Sequence, residues 1–104
     1  MQTERRRAPR HLLGGAVEVT DLESERQIVT LARNLSLFGC FVATATPFVT
    51  GTKVRLRITH RGLTFAALGW VAYTSASEGM GIAFGAIEAR DRAILDTWLD
   101  EAAK

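Results

Sequence analysis

Lys53-Val54-Arg55-Leu56-Arg57-Ile58 alternates a cation with an aliphatic residue three times in succession. Neighbouring side chains of a strand point to opposite faces, so the three cations share one face and the three aliphatics the other. The stretch reads as a strand with one face in a core and the other in water. Its basic face is either simply solvated, the preferred reading, or widens a positive surface that begins elsewhere in the chain.

Towards the N-terminus, Pro47 and Gly51 bracket a connection, and Cys40-Phe41-Val42-Ala43-Thr44 is an apolar run short enough for an interior strand. Asn34 to Gly39 breaks the period; Asn and Ser favour a local turn there, and Gly39 offers backbone freedom at the strand entrance. Residues 27–33 are rich in β-branched side chains, residues 21–25 are polar and turn-like, and Ala16-Val17-Glu18-Val19-Thr20 alternates with period two. A hairpin with a short loop follows. Towards the C-terminus, Arg61-Gly62 makes a turn, residues 63–74 form a long strand, and Gly79-Met80-Gly81-Ile82-Ala83-Phe84 is the last strand, its glycines leaving room for close approach. From Ala86 the period changes to about 3.6. Ile94, Leu95, Trp98, Leu99 and Ala102 fall on one stripe, with Arg90, Asp91, Asp96, Asp100 and Glu101 mostly opposite, which predicts an amphipathic helix over about 87–103. Laid across an open end of the sheet, it would bury Trp98.

Six strands with short turns and no helix between them imply a mainly β fold, an antiparallel barrel or strongly curved sheet whose closure removes exposed edges. At 104 residues, 47% apolar and 23% charged, the chain is one domain with a single core and no sign of disorder. No repeat or linker interrupts it. It holds no apolar run long enough to span a bilayer and no hydrophobic segment behind the N-terminus, so a cytoplasmic location is expected. The single Cys40 reads as a buried thiol.

Charge is concentrated at the start. Arg5-Arg6-Arg7-Ala8-Pro9-Arg10 places four guanidinium groups in six residues; the first ten residues carry a net +3, and residues 11–104 a net −1. Such runs are most often solvated tails, yet the guanidinium fork also suits phosphates and guanine edges. One Cys with the isolated His11 and His60 offers no metal site, and no phosphate-cradling glycine motif or nucleophile motif occurs. An enzyme is disfavoured, and no cofactor is expected.

Arg6-x-x-x-Arg10, followed after one hairpin by Asn34-x-Ser36-x-x-Gly39, resembles the paired signature of the PilZ domain, the bacterial receptor module for cyclic di-GMP. Gly79-x-Gly81-Ile82-x-Phe84 resembles that family's last strand, and the likeness covers essentially the whole chain. It implies a six-stranded antiparallel PilZ-type β-barrel with a C-terminal α-helix: residues 1–10 as a ligand-binding arm, and residues 11–104 as the barrel domain. It also implies that Arg6 and Arg10 grip the phosphates and guanine edges of the ligand, while Asn34, Ser36 and Gly39 meet a guanine base on the barrel surface. Asn34 stands where the family often has Asp, exchanging a charged acceptor for a neutral amide. Arg5, just ahead of the first motif, implies an intercalated dimer of cyclic di-GMP, with Arg5 and Arg7 as supporting cations.

The expected role is thus a cyclic di-GMP receptor whose arm closes over the ligand, signalling to a separate partner protein in motility, biofilm or polysaccharide control. One alternative is a PilZ-like adaptor that binds no ligand and works through protein contacts. Another, from a different class, is a small barrel that binds single-stranded nucleic acid through the arm and the Lys53, Arg55, Arg57 face. That reading needs exposed aromatics for base stacking, and from sequence the aromatics read as core, so no nucleic acid is expected.

Overall fold

A computed structural model of the chain describes residues 11, 12 and 14–103. The elements follow in the order β1 (His11–Leu12), β2 (Ala16–Asp21), β3 (Gln27–Leu35), β4 (Gly39–Ala43), β5 (Lys53–His60), β6 (Leu63–Ser75), β7 (Gly79–Phe84) and α1 (Ala89–Ala102). Six strands form a ring in the order β3-β2-β5-β6-β7-β4, and pairing of β3 with β4 closes it. Every pairing is antiparallel. The barrel expected from the strand pattern is therefore present, with the helix after it.

The alternation at residues 53–58 does what its period requires. Val54, Leu56 and Ile58 are fully buried, while Lys53, Arg55 and Arg57 stand exposed on the outer wall. Val17 and Val19 from β2, Phe65 and Val71 from β6, and Met80 and Ile82 from β7 complete the interior. Burying each such side chain is worth about 1.5–3 kcal/mol, and the interior faces of all six strands contribute. Cys40 is buried among them, as its apolar setting implied.

The turns are made by the residues expected to make them. The Asp21 carboxylate accepts the N–H groups of Glu23 and Ser24 at 2.9 and 3.3 Å, which ties the β2–β3 loop. The bond from the Glu23 N–H, foremost, holds that carboxyl below the usual carboxylate range. Arg61 and Gly62, both at positive φ, make the two-residue connection between β5 and β6.

Several boundaries differ from those read in the sequence. β3 runs on through Asn34 and Leu35, and β4 starts at Gly39 rather than at Cys40. A further short strand, β1, lies outside the ring and pairs with the end of β3. Two paired residues carry no period, so pattern alone cannot register them. The helix spans Ala89–Ala102 rather than about 87–103, because Glu88 is extended (φ −72°, ψ 155°) and Gly85 donates its N–H to the Leu68 carbonyl at 2.7 Å.

The helix closes one open end of the barrel. Leu95 and Trp98 are buried, and the Trp98 ring meets His60 and Phe65 with ring centres 5.5 and 6.3 Å apart. Ala102, placed on the apolar stripe by its period, is exposed. Asp91, assigned to the solvated face, is instead buried, and its carboxylate accepts the Ala66 N–H at 2.9 Å. The reason is topological. Pairing of β6 with β7 begins only at Gly69, which faces Phe84, so the first half of β6 has an open edge that Asp91 and Gly85 satisfy.

Candidate functional site

The polar stretch from Asn34 to Gly39 is built by a bulge followed by a tight turn. Ala32 faces Val42 and Asn34 faces Phe41, so Arg33 is an extra residue in β3. The bulge changes which positions point inward. Ala32 and Leu35 are both buried, although an unbroken strand would put them on opposite faces. Asn34 is thereby returned to the outside of the barrel, half-buried opposite the half-buried Phe41.

Ser36 carries the turn. Its N–H donates to the Gly39 carbonyl at 2.8 Å, its hydroxyl donates to the same carbonyl at 3.3 Å, and the hydroxyl accepts the Phe38 N–H at 3.2 Å. The side chain is only 4% exposed, so it holds the loop's shape rather than presenting a free hydroxyl on the wall. Ser36→Ala removes both side-chain bonds and leaves the part-buried Phe38 N–H without that acceptor. The expected cost is about 1–2 kcal/mol, read as a melting temperature several degrees lower. An unchanged melting temperature would show that the hydroxyl is dispensable for the turn.

Gly39 is required for a reason other than the expected backbone freedom. It is not among the residues at positive φ; instead, a Cβ at this position would run into the Ile82 carbonyl oxygen of β7. β4 and β7 approach that closely because Gly39 faces Ala83 across them. The Phe84 N–H also donates to the Phe38 carbonyl at 2.9 Å, fastening the turn to β7.

Beside Asn34 lies an aromatic floor that the sequence reading did not find. The Phe41 and Tyr73 rings stack with centres 6.2 Å apart and planes inclined by 30°. Both residues face Gly81 in register, and a side chain at Gly81 would occupy the space of the Tyr73 ring. The room left by that glycine is thus filled from within the chain. A second bulge, between Val71 and Tyr73, turns Tyr73 outward, and Tyr73 and Trp70 are each 45% exposed. The expectation that the aromatics are core holds for Phe48, Phe65 and Trp98 but fails for Trp70, Tyr73 and Phe38. The bulge that breaks the strand period is what hid Tyr73.

Arg5, Arg6, Arg7 and Arg10 lie outside the described residues. The chain that follows them is described. His11 faces Leu35 and Leu12 faces Asn34, so β1 joins the sheet at the second motif itself. Lys53, Arg55 and Arg57 are elsewhere: in the six-strand ring β5 stands directly across from β4, on the far side of the barrel from Gly39 and Phe41. Among the described residues no group of three or more His, Cys, Asp or Glu side chains could hold a metal ion, and no helix is long and apolar enough to cross a membrane.

A closed antiparallel barrel capped by one helix, with a polar turn and an aromatic floor on its outer wall, defines a small module that offers a strand surface rather than an enclosed cleft. The family model of the PilZ domain matches residues 4–101, and the chain belongs to the PilZ domain family. Domains of this family are receptor and adaptor modules. Among solved structures, the chain is similar to the Bacillus subtilis inhibitor of motility MotI/DgrA, at 24% identity and a TM-score of 0.75 over 95% of this chain and 51% of that one. The chain thus spans about half the length of that protein. It is similar to the PilZ domain of YcgR from Escherichia coli, solved with c-di-GMP, at 16% identity and a TM-score of 0.74 over 96% of this chain and 92% of that one. The PilZ domain of CeSA from a cellulose-synthesizing bacterium aligns at 14% identity and a TM-score of 0.71, over 93% of this chain and all of that one. Likeness at these identities establishes the fold. No curated protein sequence matches the chain.

Proposed function

We propose that this domain is a receptor for cyclic di-GMP that acts as an adaptor on a separate partner protein. The observation that carries the proposal is the pairing of β1 with the end of β3. It anchors His11, the residue bonded to Arg10, opposite Leu35, one position from Asn34 and Ser36, although 23 residues lie between Arg10 and Asn34 in the chain. Peptide geometry keeps the Cα of Arg10 about 3.8 Å from that of His11. The first motif's last arginine is thereby tethered to the second motif's turn.

The surface suits the ligand's chemistry. Two phosphates and two guanines call for guanidinium forks, which Arg6 and Arg10 supply with Arg5 and Arg7 beside them. The Asn34 amide has a donor and an acceptor for a guanine edge, and Phe41 with Tyr73 gives a π surface on which a base can stack. Ser36 and Gly39 serve by fixing the turn that displays Asn34. Residues 1–10 act as the ligand-binding arm and residues 11–104 as the barrel, so that ordering of the arm by ligand becomes the signal to the partner. The presence of c-di-GMP on the PilZ domain of YcgR, and the role in motility carried in the name of MotI, support this reading.

Isothermal titration of the purified domain with cyclic di-GMP, with GTP as control, tests it. Arg5 ahead of the first motif leads us to expect two nucleotides bound per chain. Saturation at one nucleotide would overturn the intercalated dimer and leave the receptor standing. A folded domain that gives no heat and no shift in melting temperature would overturn the receptor and favour an adaptor working through protein contacts alone.

A further inference from the structure

A second face of the barrel has a chemistry of its own. Lys53, Arg55 and Arg57 project from β5, and none of them is in the ion pairs Arg61–Glu101, Arg90–Asp91 and Arg92–Asp96 among the described residues; Glu18 of β2 stands opposite Arg57 in register, and no carboxylate stands opposite Lys53 or Arg55. Across the hairpin, Lys53 faces Trp70 and Arg55 faces Leu68, which is 53% exposed. A cleft of about 440 Å³ opens beside them, lined by the first half of β6 and the chain leading into α1. Its wall is mainly apolar, from Ala66, Leu68, Ala86 and Ile87, and Arg55, Glu88 and Asp91 line it as well. This face lies across the barrel from the Asn34 turn, so its cations cannot serve the same ligand.

We propose that the outer face of β5 and the first half of β6 is the docking surface for an acidic amphipathic helix of a partner protein. An aliphatic side chain of that helix enters the cleft, and its carboxylates run along Lys53, Arg55 and Arg57. The spacing fits. Alternate residues of a strand recur every ~6.6 Å, and helix residues four apart recur every ~6 Å, so one carboxylate per turn meets one cation per strand repeat. The mode of recognition follows from the fold as well. The ring is closed, and Asp91 and Gly85 bond to the open stretch of β6 at this face, so an incoming strand finds little edge to join here and side chains must carry the contact. A uniformly charged polymer such as nucleic acid would pass its phosphates along Glu88 and Asp91; a helix with acidic and aliphatic stripes places an aliphatic group there instead. The inference rests on the adaptor half of the proposed function and is independent of ligand binding.

The test uses the whole domain and a fluorescent 18-residue helical peptide with glutamates four apart on one stripe and leucines on the next. A scrambled peptide of the same composition is the control. The patterned peptide should bind in an anisotropy titration, bind at least tenfold more weakly to the Lys53→Glu/Arg55→Glu/Arg57→Glu variant, and shift the amide resonances of residues 53–57, 66–68 and 86–88. Equal binding of the scrambled peptide, or resonance shifts confined to other surfaces, would overturn the proposal. Tighter binding of random single-stranded DNA through the same cations would assign the face to nucleic acid. Concentration-dependent oligomers that the charge reversal abolishes would assign it to the acidic helix of a second copy; either result would also overturn it. The triple variant should remain folded, with a melting temperature lowered slightly because Glu18 would face a carboxylate in place of Arg57, and should keep its wild-type response to cyclic di-GMP, which separates failure of this surface from failure of the receptor.

Discussion

Arg6→Ala is expected to weaken binding of cyclic di-GMP ten- to a hundredfold in a calorimetric titration, with Arg10→Ala close behind. Each replacement removes a guanidinium from a phosphate or a guanine edge, and losing a charge-assisted contact costs about 1.5–3 kcal/mol, with a tenfold change in affinity for each 1.4 kcal/mol. The ligand carries two phosphate charges, so wild-type affinity should also fall as salt rises. Lys53→Ala is the matched control: it removes a cation from the opposite wall, and the titration should not change. An Arg6→Ala domain that binds as tightly as wild type would remove the arm from the site and leave the second motif as a structural turn alone.

Gly39→Ala is expected to produce a large loss of stability for the addition of one methyl group. The added Cβ would meet the Ile82 carbonyl oxygen, a backbone atom that cannot rotate away. β4 and β7 would have to separate, lengthening the ladder from Gly39–Ala83 to Phe41–Gly81. Overpacking of this kind costs about 1–3 kcal/mol or more, and in a domain of this size each kcal/mol lowers the melting temperature by roughly 4–8 °C. Gly14→Ala is the control, because nothing lies within 4 Å of a Cβ there. A Gly39→Ala melting curve that overlays the Gly14→Ala curve would refute the close approach. Because the Phe38 carbonyl fastens the same turn to β7, ligand affinity should fall in the Gly39 variant even at temperatures where it remains folded.

The barrel was legible because burial on one side of a strand writes a period of two into the chain. The run from Lys53 to Ile58 is the clear case, with Val54, Leu56 and Ile58 fully buried and the cations between them exposed. The helix was legible for the same reason at a different period, through Leu95 and Trp98. The approximate place of the turn at residues 34–39 was legible from Asn, Ser and Gly, whose local chemistry does not depend on distant partners.

Other features had no local signal. Asp91 sits at a helical position that reads as solvated, and it is buried because β7 leaves the first half of β6 unpaired, a fact of strand length rather than of residue type. Tyr73 reads as core until a bulge turns it outward onto Gly81, and Gly39 reads as a source of backbone freedom at the strand entrance until β7 is placed against it. The sequence by itself determined the six strands of the ring, the capping helix and the two half-motifs, because hydrophobic period and turn chemistry act between near neighbours. Only the tertiary structure decided that β1 pairs with the end of β3 at Asn34 and Leu35, and that the cations of β5 face away from it. Strand order in a closed ring is settled by pairing between segments distant in the chain, and no local pattern carries it.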